Sequence, residues 1–194
     1  MRKLLITLAA LAAVALPSVS AVPAFAGGDN TAVAINTKDG KTVYRIALHV
    51  TRNNGEVVTT GNAAVAVASC TGCETVAIAF QAVLITDDPS TISPVNLAFA
   101  ENVLCDSCVT VADAVQVVVQ TGGQVRLTPL GQQMLAQIRH DLHTLKQQDL
   151  ALDQLICDPN NPIQLGCDPT AAQLNVLAAQ FAWVIATQLV PAGS

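Results

Sequence analysis

Three stretches of the chain alternate or run apolar over strand-like lengths, and each is followed by turn chemistry. In the first, Tyr44, Ile46, Leu48 and Val50 alternate with Arg45, Ala47, His49 and Thr51. A period of two predicts a strand with one wet face. Asp39-Gly40, just before it, is a two-residue hairpin signal, because glycine takes positive φ without steric cost. A β-hairpin is therefore expected near residues 32–51. In the second stretch Val76, Ile78, Phe80, Ala82 and Leu84 alternate with small or apolar residues, which suits a strand buried on both faces. The third, 109–120, has Val111, Val115 and Val118 on one helical side, but its valine density favours strand. Arg52-Asn53-Asn54-Gly55 and Asp87-Asp88-Pro89-Ser90 break the chain between these stretches, Thr121-Gly122-Gly123 ends the third, and a short strand at 124–127 follows.

From residue 128 the pattern changes to helical. Thr128 is an N-cap with Pro129 at the first helical position. Leu130, Met134, Ile138, Leu142, Leu145, Leu152 and Ile156 form an apolar stripe. Unbroken to residue 156, this helix would be about 40 Å long, so it spans the body, projects from it or bends near Gln147-Gln148. Cys157-Asp158-Pro159 stops it. After a loop at 160–166, Asp168 caps a second helix with Pro169 at its first position, running to about Val190. Its apolar face is Leu174, Leu177, Phe181, Val184 and Ile185, and it carries no charge.

The three strand-like stretches also resemble one another. Residues 62–85 and 96–120 each read as an apolar run, C-x-x-C, then T-V-A and a longer apolar run. Residues 30–51 fit the same text, with Lys38-Asp39-Gly40-Lys41 falling where Cys70-Thr71-Gly72-Cys73 falls and a slip of one residue after the turn. The period of roughly 32–35 residues marks a repeat architecture. The expected fold is α+β: antiparallel β-hairpin repeats forming a sheet over 27–127, with units near 30–51, 62–85 and 96–120, then a helical C-terminal region over 128–194.

Composition places this fold in a compartment. Arg2 and Lys3, the apolar run at 4–16 and Ala24-Phe25-Ala26 form a secretory leader, cleaved after Ala26. The apolar run is too short for a membrane span. The expected product begins at Gly27 and is secreted or held at the cell surface. Without Arg2 and Lys3, seven basic residues face fourteen acidic ones, a net charge of −7. An acidic chain with no basic cluster is a poor partner for nucleic acid or an anionic membrane surface. Only Tyr44, Phe80, Phe99, Phe181 and Trp183 are aromatic beyond the leader, so base stacking lacks platforms. The apolar content is mostly alanine and valine, which bury little area each. Low-charge, β-prone runs at 63–68, 76–85 and 115–119 favour strand pairing between chains, so a homo-oligomer or a complex with another extracytoplasmic protein is expected.

The six cysteines read first as disulfides, being even in number in an oxidising compartment. The ends of a β-turn lie less than roughly 7 Å apart, within disulfide reach, so the expected pairs are Cys70–Cys73, Cys105–Cys108 and Cys157–Cys167. A thiol–disulfide redox site competes with this reading, but it wants C-x-x-C at a helix N-terminus. A four-cysteine zinc site also competes, since C-x2-C…C-x2-C is its grammar. Covalent c-type haem is excluded because Glu74 and Val109 stand where C-x-x-C-H needs histidine. His140 and His143 lie three apart on the first helix and are expected to be ordinary surface. There is no H-E-x-x-H, G-x-S-x-G or phosphate-binding glycine loop. No catalytic residue, cofactor or metal is expected, and the chain reads as a structural or interaction protein rather than an enzyme. The alternative is a secreted thiol–disulfide or metal-handling protein using Cys70/Cys73 and Cys105/Cys108.

The motifs N-x-A-V-A, C-x-x-C-x-T-V-A and T-G-G-x-V-R-L-T, at 30–34, 62–81, 105–116 and 121–128, resemble the extracytoplasmic repeat region of bacterial, mostly actinobacterial, peptide zinc metalloprotease proteins and of related stand-alone secreted proteins. The likeness covers about 29–146 and leaves 157–194 outside. The peptidase residues of those proteins lie in a separate membrane domain with no counterpart here. The resemblance therefore implies a secreted accessory or surface module without protease activity.

Overall fold

A computed structural model describes residues 29–152 and 169–193. The leader at 1–26, Cys157, Cys167 and their bridge, the loop at 160–166, the Asp168 cap and the far end of the first helix lie outside the described residues. In chain order the elements are β1 (Asn30–Asn36), β2 (Thr42–Asn53), β3 (Val57–Val58), β4 (Gly61–Ala68), β5 (Glu74–Ile85), β6 (Thr91–Ile92), β7 (Val95–Asn102), β8 (Val109–Gln120), β9 (Val125–Leu127), α1 (Pro129–Leu152), α2 (Pro169–Thr187) and β10 (Leu189–Pro191). The fold is mixed α and β, with both helices following the main strands. No helix among the described residues is long and apolar enough to cross a membrane.

The sheets built from β1 to β8 are parallel, which overturns the expected antiparallel hairpins. One sheet runs β1-β4-β7, a second β2-β5-β8, and a third pairs β3 with β6. Each sheet takes one strand from each turn of the chain, so the molecule is a short parallel solenoid of three coils, the last lacking the third strand. Lys38 to Lys41 does reverse the chain, with Gly40 at φ 60° and the Lys41 amide donating to the Lys38 carbonyl at 3.3 Å. The strands on either side do not pair with each other. They face across the interior, and each pairs with its counterpart in the next coil. A two-residue reversal with one positive-φ residue serves a solenoid corner as well as a hairpin, so the local signal was real but could not choose between them.

Buried amides provide the choice. Asn30, Asn62 and Asn96 stack in register. The Asn30 amide donates to Asn62 Oδ1 at 2.8 Å, and the Asn62 amide donates to Asn96 Oδ1 at 2.8 Å. Each also reaches across the interior to the opposite sheet: Asn30 to the Phe80 carbonyl at 3.1 Å, Asn62 to that of Ala79 at 2.9 Å, Asn96 to that of Ala114 at 2.8 Å. Asn30 and Asn62 are buried and Asn96 is exposed at the end of the stack; buried polar groups must find partners, and hairpins would separate these side chains. Gln81 and Gln116 form a second such rung, with the Gln116 amide donating to Gln81 Oε1 at 2.7 Å.

Alanine makes the close approach of the two large sheets possible. Ala32, Ala34, Ala64, Ala66, Ala77 and Ala79 fill the space between them. The register from coil 1 to coil 2 is a constant offset, Asn30 on Asn62 through Asn53 on Ile85, so the slip expected after the first turn is absent. A slip occurs instead between coils 2 and 3. Ala68 pairs with Asn102, whereas Glu74 pairs with Val109. Leu104 is the extra residue, at φ 50° and 90% exposed, extruded so that the next corner keeps its register.

The outer face of the β2-β5-β8 sheet is covered by the helices. Tyr44, Val76, Ile78, Phe80, Ala82 and Leu84 meet Leu135, Ile138, Leu142 and Leu145 of α1 and Leu174, Leu177, Phe181, Val184 and Ile185 of α2. β5 is thus buried on both faces, as its pattern predicts. The α2 face is the one read from the sequence. For α1 the stripe is corrected at its start: Leu135 is buried, while Leu130 is largely exposed, because the chain enters α1 from the β9 side. The row of β2 holding Arg45 and His49 is not the solvent face of a hairpin. It is the inward row at the solenoid's first coil, wet because no further coil among the described residues covers it.

A clasp ties the helix ends together. β9 pairs antiparallel with β10, so Val190 belongs to a strand rather than to α2. Thr128 caps α1 as expected, its Oγ1 accepting the Gly131 amide at 3.0 Å. The Thr128 amide donates to the Gln188 carbonyl at 2.9 Å. A Cβ at Gly131 would lie 2.7 Å from the Gln188 Cβ, so this approach requires glycine.

Candidate functional site

The corners at 38–41, 70–73 and 105–108 stack on one another. The Gly40 amide donates to the Thr71 carbonyl at 2.9 Å, and the Gly72 amide to that of Asp106 at 2.8 Å. The third residue of each corner has positive φ: Gly40, Gly72 and Ser107. Stacking places Cys70 over Cys105 and Cys73 over Cys108. The four Sγ atoms all lie within 4.8 Å of one another. Cys73 Sγ and Cys108 Sγ, from different coils, are 3.3 Å apart. The sequence located both C-x-x-C motifs, but their convergence depends on coil register.

Both pairs sit at disulfide distance, Cys70–Cys73 with Cα atoms 6.0 Å apart and Cys105–Cys108 with Cα atoms 5.9 Å apart. The inner pair is buried and the outer pair half-buried. Carbonyl oxygens surround the cluster: that of Asn36 lies 3.3 Å from Cys70 Sγ, and that of Cys70 lies 2.8 Å from Cys108 Sγ and 3.0 Å from Cys105 Sγ. The nearest equivalents in coil 1 are Lys38 and Lys41, both exposed. Because Cys73 lies so near Cys108, inter-coil pairing is a real competitor for the native connectivity. Non-reducing peptide mapping is expected to recover 70–73 and 105–108; links 70–105 or 73–108 would refute the cross-turn staples.

Other candidates are less assembled. His140 and His143 are exposed on α1. An open groove between α1 and α2, lined by Asp141, Thr144, Leu145, Gln173, Val176, Leu177 and Gln180, has one carboxylate, which accepts a hydrogen bond from Gln137 at 2.7 Å. Asp113 lies on the helix-facing row of β8, where partial burial raises its carboxyl above the ordinary carboxylate range. Phe181, on the apolar face of α2, is fully buried with its ring centroid 5.5 Å from that of Phe80, leaving Trp183 as the half-exposed aromatic of α2.

Fold and site together define a short parallel solenoid buttressed by two helices, with a stacked four-cysteine corner. No known protein family, characterised protein or solved structure matches the chain.

Proposed function

We propose that this chain is a secreted, disulfide-stapled structural or interaction protein with no catalysis of its own, and that its working surface is the open end of the solenoid at coil 3. One observation carries this reading: the two ends are closed unequally. The inward residues Ala32 and Ala34 of β1 are buried, whereas Ala98 and Ala100, in the same column of β7, are exposed. The coil-1 edge is also guarded. Arg45 donates its guanidinium to the Tyr44 carbonyl at 3.0 Å, and Lys38 and Lys41 add charge. Charge and self-capping are how proteins blunt sheet edges. The coil-3 edge has Glu101 on β7, Asp106 at the corner and Asp113 on β8 as its charged residues, and between them it offers long runs of edge backbone.

The occupant argued for is a second copy of the chain, adding its own β7 and β8 antiparallel to these. Since one end is guarded and the other open, two copies close on each other rather than growing a filament. The leader pattern, the C-x-x-C pairs and the resemblance to secreted accessory modules support the extracytoplasmic setting. Light scattering on the processed chain at tens of micromolar, disulfides intact, is expected to report two copies. Ala98→Lys, which adds a charge to the exposed row, is expected to give one copy with an unchanged circular dichroism spectrum. One copy for the unmodified chain would remove the assembly and leave a monomeric binding module.

A further inference from the structure

We propose that the four-cysteine corner is a redox-gated metal site: a dithiol opens its two disulfides, and the four freed sulfurs take one soft divalent cation of the zinc class. This departs from the expectation that the corner holds no metal, and it does not depend on assembly at the coil-3 end.

Coil 1 shows that the staples are not needed to form the corner. Lys38 to Lys41 makes the same turn with the same positive-φ glycine and no cysteine. What the cysteines of coils 2 and 3 add is convergence. Four Sγ atoms within 4.8 Å are close to the roughly 3.8 Å sulfur separations of a tetrahedral zinc tetrathiolate, whose metal–sulfur bonds are about 2.3 Å. Parallel strands on both sides fix the corners that carry them. In the thiol form Cys70, Cys105 and Cys108 also have carbonyl acceptors within 2.8 to 3.3 Å, so reduction leaves their S–H donors satisfied.

Access sets the order of opening. The outer disulfide is half-buried and the inner one buried, so the reductant meets the outer pair first. A reductant thiolate attacks Cys105 Sγ, the Cys105–Cys108 bond breaks and Cys108 leaves as a thiolate. The second reductant thiol then displaces Cys105, and the reductant departs as its own disulfide. Cys108 Sγ stands 3.3 Å from Cys73 Sγ. It attacks there, forming Cys73–Cys108, breaking Cys70–Cys73 and releasing Cys70 as a thiolate. A second dithiol reduces the new bond in the same two steps. Two dithiols have then become two disulfides and four cysteines are reduced. A divalent cation binding all four sulfurs displaces their protons to solvent and leaves a centre of net charge −2. Lys38 and Lys41 stand in the coil-1 corner that stacks on Cys70 to Cys73, alongside Asp39, whose Oδ1 accepts the Thr71 amide at 2.8 Å.

The test uses the processed chain with Cys157→Ser and Cys167→Ser, so that four cysteines remain. Reduced with a dithiol and desalted without oxygen, it is titrated with Co²⁺ as an optical probe and then with Zn²⁺. One Co²⁺ per chain is expected, with the charge-transfer and ligand-field bands of a tetrahedral tetrathiolate, displaced by Zn²⁺. The oxidised chain is expected to give neither band. Adding Cys105→Ser and Cys108→Ser is expected to abolish the one-ion stoichiometry while strand circular dichroism persists. Absence of stoichiometric binding to the reduced chain, or binding that survives the added pair of substitutions, would overturn the proposal. Should reduction alone unfold the chain, recovery of strand signal on adding Zn²⁺ supports the site, and failure to recover refutes it.

Discussion

Asn62→Ala is expected to lower the unfolding free energy by about 3 kcal/mol, read as a shifted urea midpoint with the disulfides intact. Asn62 is fully buried. It accepts from Asn30 at 2.8 Å and donates to Asn96 Oδ1 at 2.8 Å and to the carbonyls of Ala79 at 2.9 Å and Val115 at 3.1 Å. Alanine removes all of these and leaves the Asn30 amide and the interior carbonyls without that partner. The penalty for an orphaned buried group exceeds the net gain of an ordinary hydrogen bond. Asn96→Ala provides the contrast. Asn96 is exposed at the coil-3 end, so water replaces its lost bonds and the cost is expected to stay below about 1 kcal/mol. Equal costs at the two positions would mean that the ladder contributes nothing beyond local strand structure.

Phe80→Ala is expected to cost about 4 kcal/mol. Phe80 has no exposed surface and, with Phe181, is one of the two largest fully buried side chains among the described residues. It joins the solenoid to α2 through the tilted Phe181 ring. Removing it leaves a cavity that neither the paired strand nor the clasped helix can collapse into. Amide hydrogen exchange of α2 is expected to accelerate more than that of β4, since the lost contact lies between sheet and helix. Phe99, 43% exposed on β7, is the control: its alanine variant is expected to stay within about 0.5 kcal/mol of the parent. A Phe80→Ala cost as small as that would show that the helices are held by the β9–β10 clasp alone.

Both experiments probe features that the linear sequence displayed unevenly. The double burial of β5 was visible because apolar residues occupy both parities from Val76 to Ile85. The Thr128 cap and the α2 face were visible because capping chemistry and the 3.6-residue period are local. The strand at Val109–Gln120 was favoured over helix by β-branched density, and the strand prevailed because each of its residues pairs with one in β5. The start of the α1 stripe was misread at Leu130, since periodicity does not say where a helix first touches the sheet. Parallel pairing is not legible in the sequence. Asp39-Gly40 specifies a reversal, and a reversal alone does not say whether its flanking strands bond to each other or to the next coil.

The sequence by itself determined the long β5 and β8 strands, the corners, the α2 face and the recurrence of asparagine, alanine and cysteine at matching places. These follow from backbone sterics and side-chain period, which act within a few residues. The tertiary structure decided that matching residues stack. Stacking satisfies the buried Asn30 and Asn62 amides, lets alanine-lined sheets approach, extrudes Leu104 to keep the last corner in register, and gathers four sulfurs from residues 70 to 108 within 4.8 Å. Those outcomes depend on hydrogen bonds and packing between residues more than thirty positions apart, where no local propensity reaches.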